Sequence, residues 1–77
     1  MEKIIKIHIE FCEKWNYHPD FDRVSKTIKK LVPNAEIKGN LKPPRSGSFE
    51  VIINDILVYS KFNTGNFPED SDIKSWF

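Results

Sequence analysis

Apolar and polar residues alternate near the amino terminus. Apolar residues occupy every second position from Ile5 to Phe11, and charged or polar residues lie between them. This period of two places the apolar side chains on one face of an extended strand. The pattern therefore predicts a half-buried strand over Lys3 to Phe11, followed by a loop without periodicity from Cys12 to His18. Cys12 would lie just beyond the carboxyl end of that strand.

A helical period follows this loop, with apolar residues at spacings of three and four positions. They are Phe21, Val24, Ile28 and Leu31. Pro19 suits a first helical turn, and lysines occupy the last turn, where the helix macrodipole favours cations. We therefore predict a helix from Pro19 to Leu31, ended by Pro33. A short strand is predicted next, from Ala35 to Lys38, and its position after the helix favours a right-handed parallel crossover.

The second half of the chain contains a hairpin signal. After a turn-rich stretch from Gly39 to Gly47, two alternating segments span residues 49–53 and 56–60. Asn54 and Asp55 separate them and suit a two-residue turn. The segments therefore predict a third and a fourth strand, paired antiparallel.

The predicted order of elements is βαβββα, because an acidic run after Pro68 precedes Ile73 and Trp76 and indicates a short last helix. This order predicts an α/β (α+β) fold with thioredoxin-like topology. Two helices would cover one face of a four-stranded mixed sheet. The 77 residues suffice for one domain, residues 1–77, and not for two.

The uncovered face of this sheet is expected to carry apolar side chains. Simple pairing across the hairpin places Ile52, Leu57 and Tyr59 there, and Ile4 joins them from the first strand. The same pairing turns Ser60 towards the covered face. Such a patch is either a surface for a protein partner or a homodimer, or a scatter of surface hydrophobic residues without a role.

Composition narrows the class of protein. Hydrophobic residues make up 39% and charged residues 30% of the chain, with a net charge of +1, so we expect a globular domain without a nucleic-acid partner. A single cysteine excludes an internal disulfide and a thiolate zinc cluster, and no metal site is expected. Charges interrupt the first residues, MEKIIKIHIE, and no stretch reaches the ~20 apolar residues of a membrane span. We therefore expect a cytoplasmic protein without a membrane partner.

Three phrases of the chain resemble the selenoprotein W, T and H-related (Rdx) family. They are EFCEKWNYHPDF after the first strand, GNLKPPRSGSFEVIIND up to the hairpin turn, and YSKFNTGNFP after it. Their order and their span over most of the chain match that family. The resemblance implies a thioredoxin-like fold with a C-x-x-C or C-x-x-Sec motif between the first strand and the first helix. It also implies thiol-dependent oxidoreductase chemistry, often linked to glutathione.

The motif departs from the family pattern at its second redox position. It reads Cys12, Glu13, Lys14, Trp15. A single thiol cannot form and resolve its own disulfide, so an external thiol must resolve any mixed disulfide on Cys12. The tryptophan codon UGG and the selenocysteine codon UGA differ only at the third base. An altered or misread codon 15 is therefore a hypothesis that the codon sequence and an intact mass would test.

Two interpretations of Cys12 stay open. Reactive thiols need a helix amino terminus, a cation or a polar loop nearby, because only the thiolate attacks. The alternative is a small, partly buried cysteine without chemistry. His18 is either a base or cation near this thiol or a solvated loop residue. No role is expected for His8.

The loop before the third strand is a candidate binding surface. The resemblance implies that this loop lies beside the redox cysteine, which brings four residues near it: Arg45, Ser46, Gly47 and Ser48. Backbone donors there suit a glutathione-like peptide, and Arg45 offers a fork for a carboxylate. The other interpretation is a plain turn, in which Gly47 permits an unusual backbone angle.

Two functions follow from these residues. In the first, the chain is a thiol-based redox protein in which Cys12 forms a mixed disulfide or a glutathione adduct. Its partners would be protein thiols or glutathione, with glutathione as a co-substrate and no bound cofactor. In the second, the chain is a redox-inactive thioredoxin-like module for protein interaction. Whether the chain is an enzyme stays open.

Overall fold

A computed structural model describes residues 4–77, so the predicted strand residue Lys3 lies outside the described residues. The strands are β1 (Lys6–Phe11), β2 (Glu36–Gly39), β3 (Phe49–Ile53) and β4 (Ile56–Ser60). The helices are α1 (His18–Leu31), α2 (Lys61–Thr64) and α3 (Asp70–Ser75). Each predicted element is present, with small shifts at its ends. The one-turn helix α2 was not predicted from the sequence.

The four strands form one mixed sheet in the order β2-β1-β3-β4. The central strand β1 pairs parallel with β2 and antiparallel with β3. β3 and β4 form the predicted antiparallel hairpin. The helix α1 therefore connects two parallel strands, and the predicted α+β class is confirmed.

One face of the sheet carries the hydrophobic core. β1 contributes three buried residues to it, Ile7, Ile9 and Phe11. Alternate residues of a strand share a face, so the polar residues between them lie on the opposite side. Val24 and Ile28 of α1 pack on this core, and so does Ile73 of α3. These two helices thus cover the same face of the sheet, as predicted.

The ends of the helices follow their sequence signals. Pro19 lies in the first turn of α1, where a missing amide proton costs nothing. Glu69 and Asp72 form a capping box at α3, with the Glu69 amide donating to Asp72 Oδ2 at 2.8 Å. Within residues 4–77, no helix has the length and apolar character needed to cross a membrane.

A β-bulge in the hairpin changes the predicted placement of side chains. Val51 pairs with Tyr59. Ile52 pairs with Leu57, which leaves Val58 as an extra residue on β4. Tyr59 is therefore part of the core and only 9% exposed. The prediction that placed Tyr59 on the open face was wrong, because one extra residue reverses the alternation of the strand beyond it.

The bulge also moves Ser60 to the open face, where it pairs with Glu50. The predicted orientation of Ser60 towards the covered face was thus wrong for the same reason. Asn54 and Asp55 have φ values of 47° and 70°, as a two-residue hairpin turn with positive φ requires. Leu57 pairs with Ile52 and is exposed, in agreement with the prediction for the open face. Ile4 is also exposed, but it precedes β1.

Candidate functional site

Cys12 lies directly after β1, at the start of the loop to α1. Its amide donates to the carbonyl oxygen of Ser48 at 2.9 Å, which continues the pairing of β1 with β3 beyond Phe11 and Phe49. The side chain of Cys12 is only 1% exposed. The fold therefore joins Cys12 to the loop before β3 and shields its thiol from solvent.

A tight turn carries the chain from Cys12 to α1. The Tyr17 amide donates to the Cys12 carbonyl at 3.0 Å, and the Asn16 amide donates to the Glu13 carbonyl at 3.0 Å. Asn16 has a φ of 57°, a left-handed conformation that asparagine tolerates. This turn directs Trp15 outward, and its side chain is 56% exposed. Of the two motif positions, position 15 is thus open to solvent and position 12 is buried.

The indole ring of Trp15 packs against Gly47. A Cβ atom added at Gly47 would lie 2.7 Å from Trp15 Cζ3, so a larger residue would displace the ring. Gly47 also has a φ of +73°, which residues with a side chain rarely adopt. The contact brings the second motif position onto the loop of residues 45–48.

Two carboxylates of the chain hold Arg45. Its Nε and Nη2 atoms each lie 3.1 Å from a carboxylate oxygen of Glu10, and its amide donates to Glu10 Oε2 at 2.8 Å. Nη2 also lies 3.3 Å from Oε1 of Glu50. The guanidinium carbon is 4.9 Å from the centre of the Phe62 ring. The predicted arginine fork is present, and Glu10 and Glu50 occupy it.

This pairing shifts the titration of both partners. Partial burial alone would raise the pKa of Glu10, but the hydrogen bonds and charge of Arg45 outweigh burial and hold that pKa below its usual value. The hydrogen bond to Glu10 is the main cause that raises the pKa of Arg45, and the charges of Glu10 and Glu50 add to it. Both partners are therefore charged at neutral pH, and their pairing fixes the loop to β1.

Glu50 is a buried carboxylate that the sequence analysis did not single out. It is 4% exposed and accepts hydrogen bonds from the Ser60 hydroxyl at 2.7 Å and the Lys61 amide at 3.0 Å. Together with Arg45, these donors offset the cost of burying a charge. The bulge supplies Ser60 and the unpredicted helix α2 supplies the Lys61 amide. The sequence signal was a lone acid between apolar residues in the phrase GSFEV.

Asn40 holds the end of β1 and was also missed. Its Oδ1 accepts from the Phe11 amide at 2.9 Å, and its Nδ2 donates to the Phe11 carbonyl at 2.9 Å and to Glu13 Oε1 at 3.1 Å. These bonds fix the backbone immediately before Cys12. The Gly-Asn pair at the end of β2 was the available signal, since Asn40 has a positive φ of 30°.

His18 was predicted as a candidate base or cation near the Cys12 thiol, but its contacts in the structure are with other residues. Its Nδ1 lies 3.3 Å from Oδ2 of Asp22. Its ring stands edge-on to the rings of Phe11 and Phe21. These contacts fix the position of the His18 side chain at the start of α1. A role for His18 as a base for Cys12 stays an untested prediction.

The serines of the loop differ in their access to solvent. Ser46 is exposed, whereas Ser48 is fully buried. The buried Ser48 hydroxyl makes no hydrogen bond within residues 4–77. Among these residues there is also no group of three His, Cys, Asp or Glu side chains that could hold a metal ion.

Comparison with known proteins places this arrangement in a family. The Rdx family profile matches residues 6–76. Selenoprotein W from Danio rerio is 37% identical over 71 residues, which cover 91% of this chain and 81% of that protein. Migration and invasion enhancer 1 from Bos taurus is 32% identical over 69 residues, which cover 90% of this chain. The match spans only 58% of the length of that second relative.

The fold agrees with solved structures. A selenoprotein W-related protein from Vibrio cholerae superimposes with a TM-score of 0.82 at 23% identity, covering 95% of this chain and 91% of that one. A protein from Bordetella parapertussis gives the same TM-score at 17% identity. At these identities the structures support the fold alone. On the profile match and the sequence relatives, the chain belongs to the Rdx family, the selenoprotein W-like group associated with thiol redox chemistry.

Proposed function

We propose that this chain is a thiol-redox protein in which Cys12 is the single reacting thiol. The observation that supports it is the position of Cys12 directly after β1, with its backbone bonded to Ser48 of the loop before β3. The family resemblance of the phrase EFCEKWNYHPDF assigns Cys12 to the first position of the redox motif and Trp15 to the second.

The chemistry is an exchange with external partners. The Cys12 thiol loses its proton to solvent, and the thiolate attacks one sulfur of a disulfide of glutathione or of a protein. A bond forms between Cys12 Sγ and that sulfur while the second sulfur leaves as a thiolate. A further external thiolate then attacks the mixed disulfide and releases Cys12 as a thiolate. Resolution from outside is required because the chain has one cysteine.

Burial of Cys12 makes the reaction depend on a local opening. A side chain that is 1% exposed cannot meet a disulfide partner without movement of the turn that follows it. That turn is fastened by the Asn40 bonds to Phe11 and Glu13 and by packing of Trp15 on Gly47. Loosening of this turn is therefore the step that admits the partner.

The bound partner would meet a surface centred on residues 45–48. Arg45 is already paired with Glu10 and Glu50 through Nε and Nη2, so a carboxylate of glutathione would compete with them or bind at Nη1 of this exposed side chain. The exposed Ser46 and the backbone beside it remain as donors for a peptide. Gly47 and Ser48 are buried and would act by shaping this surface.

The second candidate function is a redox-inactive module for protein interaction. The burial of Cys12 favours it, and so do two large aromatic side chains, Trp15 and Phe62, that are about half exposed beside the loop. Trp15 packs on Gly47 and Phe62 on Arg45, so both flank the same loop. Exposed aromatic residues of this kind are enriched at protein interfaces.

The urea dependence of thiol labelling separates the two functions. Alkylation of Cys12 by iodoacetamide is followed at low urea concentrations, below the unfolding transition. A local opening exposes little surface, so the redox proposal predicts a labelling rate that is flat in urea. A rate that rises steeply with urea from the start would mean that only global unfolding exposes Cys12, which favours the inactive module.

A further inference from the structure

An apolar groove lies between α1 and the edge strand β2. It has a volume of about 510 Å³ and is lined by Phe21, Ser25, Lys26, Lys29, Lys30 and Ile37. Phe21 and Ile37 are partly buried and pack against the hydrophobic core, so they form an apolar floor. The groove shares no residue with the Cys12 turn or the loop of residues 45–48.

The rim of this groove is cationic. All three of its charged lining residues are lysines, and no acidic side chain is among the residues that line it. Lys29 donates to the carbonyl oxygen of Ala35, which anchors one lysine at the rim. Within residues 4–77, neither Lys26 nor Lys30 forms an ion pair. Two positive charges thus border an apolar surface without a counter-ion in the described chain.

We propose that this groove binds a small amphiphile with a carboxylate head and an apolar tail, such as a medium-chain fatty acid. The tail would displace water from Phe21 and Ile37, which is favourable in proportion to the apolar area covered. The carboxylate would lie between Lys26 and Lys30, whose flexible stems reach over apolar surface while their ammonium groups stay in water. The volume lies within the range of about 300–1,000 Å³ that is typical of small-molecule sites.

The test is a set of NMR titrations of the amide resonances with three probes. Octanoate combines head and tail, 1-octanol has the tail without the charge, and acetate has the head alone. We expect saturable shifts with octanoate that map to residues of α1 and β2 around the groove. 1-Octanol should bind at least about fivefold more weakly, and acetate should cause no saturable shift, because each lacks one of the two contributions.

Paired variants complete the test. Lys26→Glu with Lys30→Glu should weaken octanoate binding by about tenfold or more, since two attractions become repulsions. Lys42→Glu with Lys74→Glu makes the same change of net charge outside the groove and should leave binding within about twofold. Equal loss in both pairs, 1-octanol binding as tightly as octanoate, or shifts centred on Ile56 and Leu57 would overturn the proposal. Self-association through the groove without ligand would overturn it as well.

Discussion

The indole ring of Trp15 rests on Gly47, one residue before the residue whose carbonyl accepts the Cys12 amide. Positions 12 and 15 therefore contact consecutive residues of one loop. The Cys12 backbone forms a hydrogen bond with Ser48, and the Trp15 side chain packs on Gly47. Movement of this loop or of the turn beside it should change the access of solvent to both motif positions together.

Replacing Gly47 should disturb Trp15. In Gly47→Ala the new Cβ would meet Trp15 Cζ3 at 2.7 Å and the ring would move. Gly65→Ala is a matched control, because Gly65 has a similar φ of +77° but nothing within 4 Å of an added Cβ. Both variants should lose about 1–2 kcal/mol of stability from backbone strain.

The readout for this pair is the indole Nε1–H resonance of Trp15, together with urea unfolding. The resonance should shift in Gly47→Ala and stay in place in Gly65→Ala. An unmoved Trp15 resonance in Gly47→Ala would contradict the packing of the ring on the loop.

The pairing of Glu10 with Arg45 predicts a pH dependence of stability. The folded pKa of Glu10 is lowered, so its stabilising effect is full above the unfolded value of about 4.3 and is lost as the pH falls through the folded pKa. In Arg45→Gln the charge and the guanidinium hydrogen bonds are lost, while the partial burial of Glu10 and the bond from the backbone amide of residue 45 persist. The pKa of Glu10 should then rise, and the loss of stability in acid should become smaller.

Carbon-13 NMR titration of the Glu10 carboxyl measures that pKa directly. Arg23→Gln is the control, because Arg23 pairs with Asp20 and Asp70 and not with Glu10. A Glu10 pKa that is the same in Arg45→Gln and in the unmodified chain would show that Arg45 does not set it.

Removal of the Ser60 hydroxyl should destabilise the fold. The buried Glu50 would lose a donor at 2.7 Å, and we expect a loss of about 1–3 kcal/mol in the free energy of unfolding. Ser75→Ala removes a hydroxyl that bonds within the exposed end of α3, and it should change stability by less than about 0.5 kcal/mol. Similar effects of Ser60→Ala and Ser75→Ala in urea unfolding would rule out a structural role for the Glu50 network.

A second cysteine at position 15 should restore internal disulfide chemistry. Trp15→Cys is expected to form a bond with Cys12 under mild oxidation, seen as the loss of two hydrogen atoms in the intact mass. Trp15→Ser provides the control without a second thiol and should not lose two hydrogen atoms. Failure of folded Trp15→Cys to form this disulfide would mean that position 15 is not the second redox position of the family motif.

Local patterns predicted the elements well where a period was clear. The alternation through β1 predicted this strand and its buried face. The spacing of Val24 and Ile28 predicted α1 and its buried face. The bulge at Val58 could not be predicted in this way, because its sequence is as apolar as a regular strand. The bulge turns Tyr59 into the core, and the prediction that placed Tyr59 on the open face was therefore wrong.

The predictions gave the approach of the Cys12 segment to the loop before β3, but they missed the partners of the charged and polar side chains around it. The family resemblance implied that Cys12 lies beside the loop of residues 45–48. The buried Glu50 and the clamp by Asn40 depend on contacts between segments far apart in the chain, which no local pattern records. Arg45 was predicted as a donor for a ligand because arginine offers a fork for a carboxylate. Its partner Glu10 was missed because it lies 35 residues away in sequence.

The most direct test of the central claim is the reaction of the folded chain with oxidised glutathione at neutral pH, followed by intact mass. The proposed function predicts one glutathione adduct, which is absent from Cys12→Ser, forms faster in Gly47→Ala than in Gly65→Ala, and is removed by an added thiol. A folded chain that stays unmodified, while the urea-unfolded chain reacts at the rate of an ordinary thiol, would contradict it.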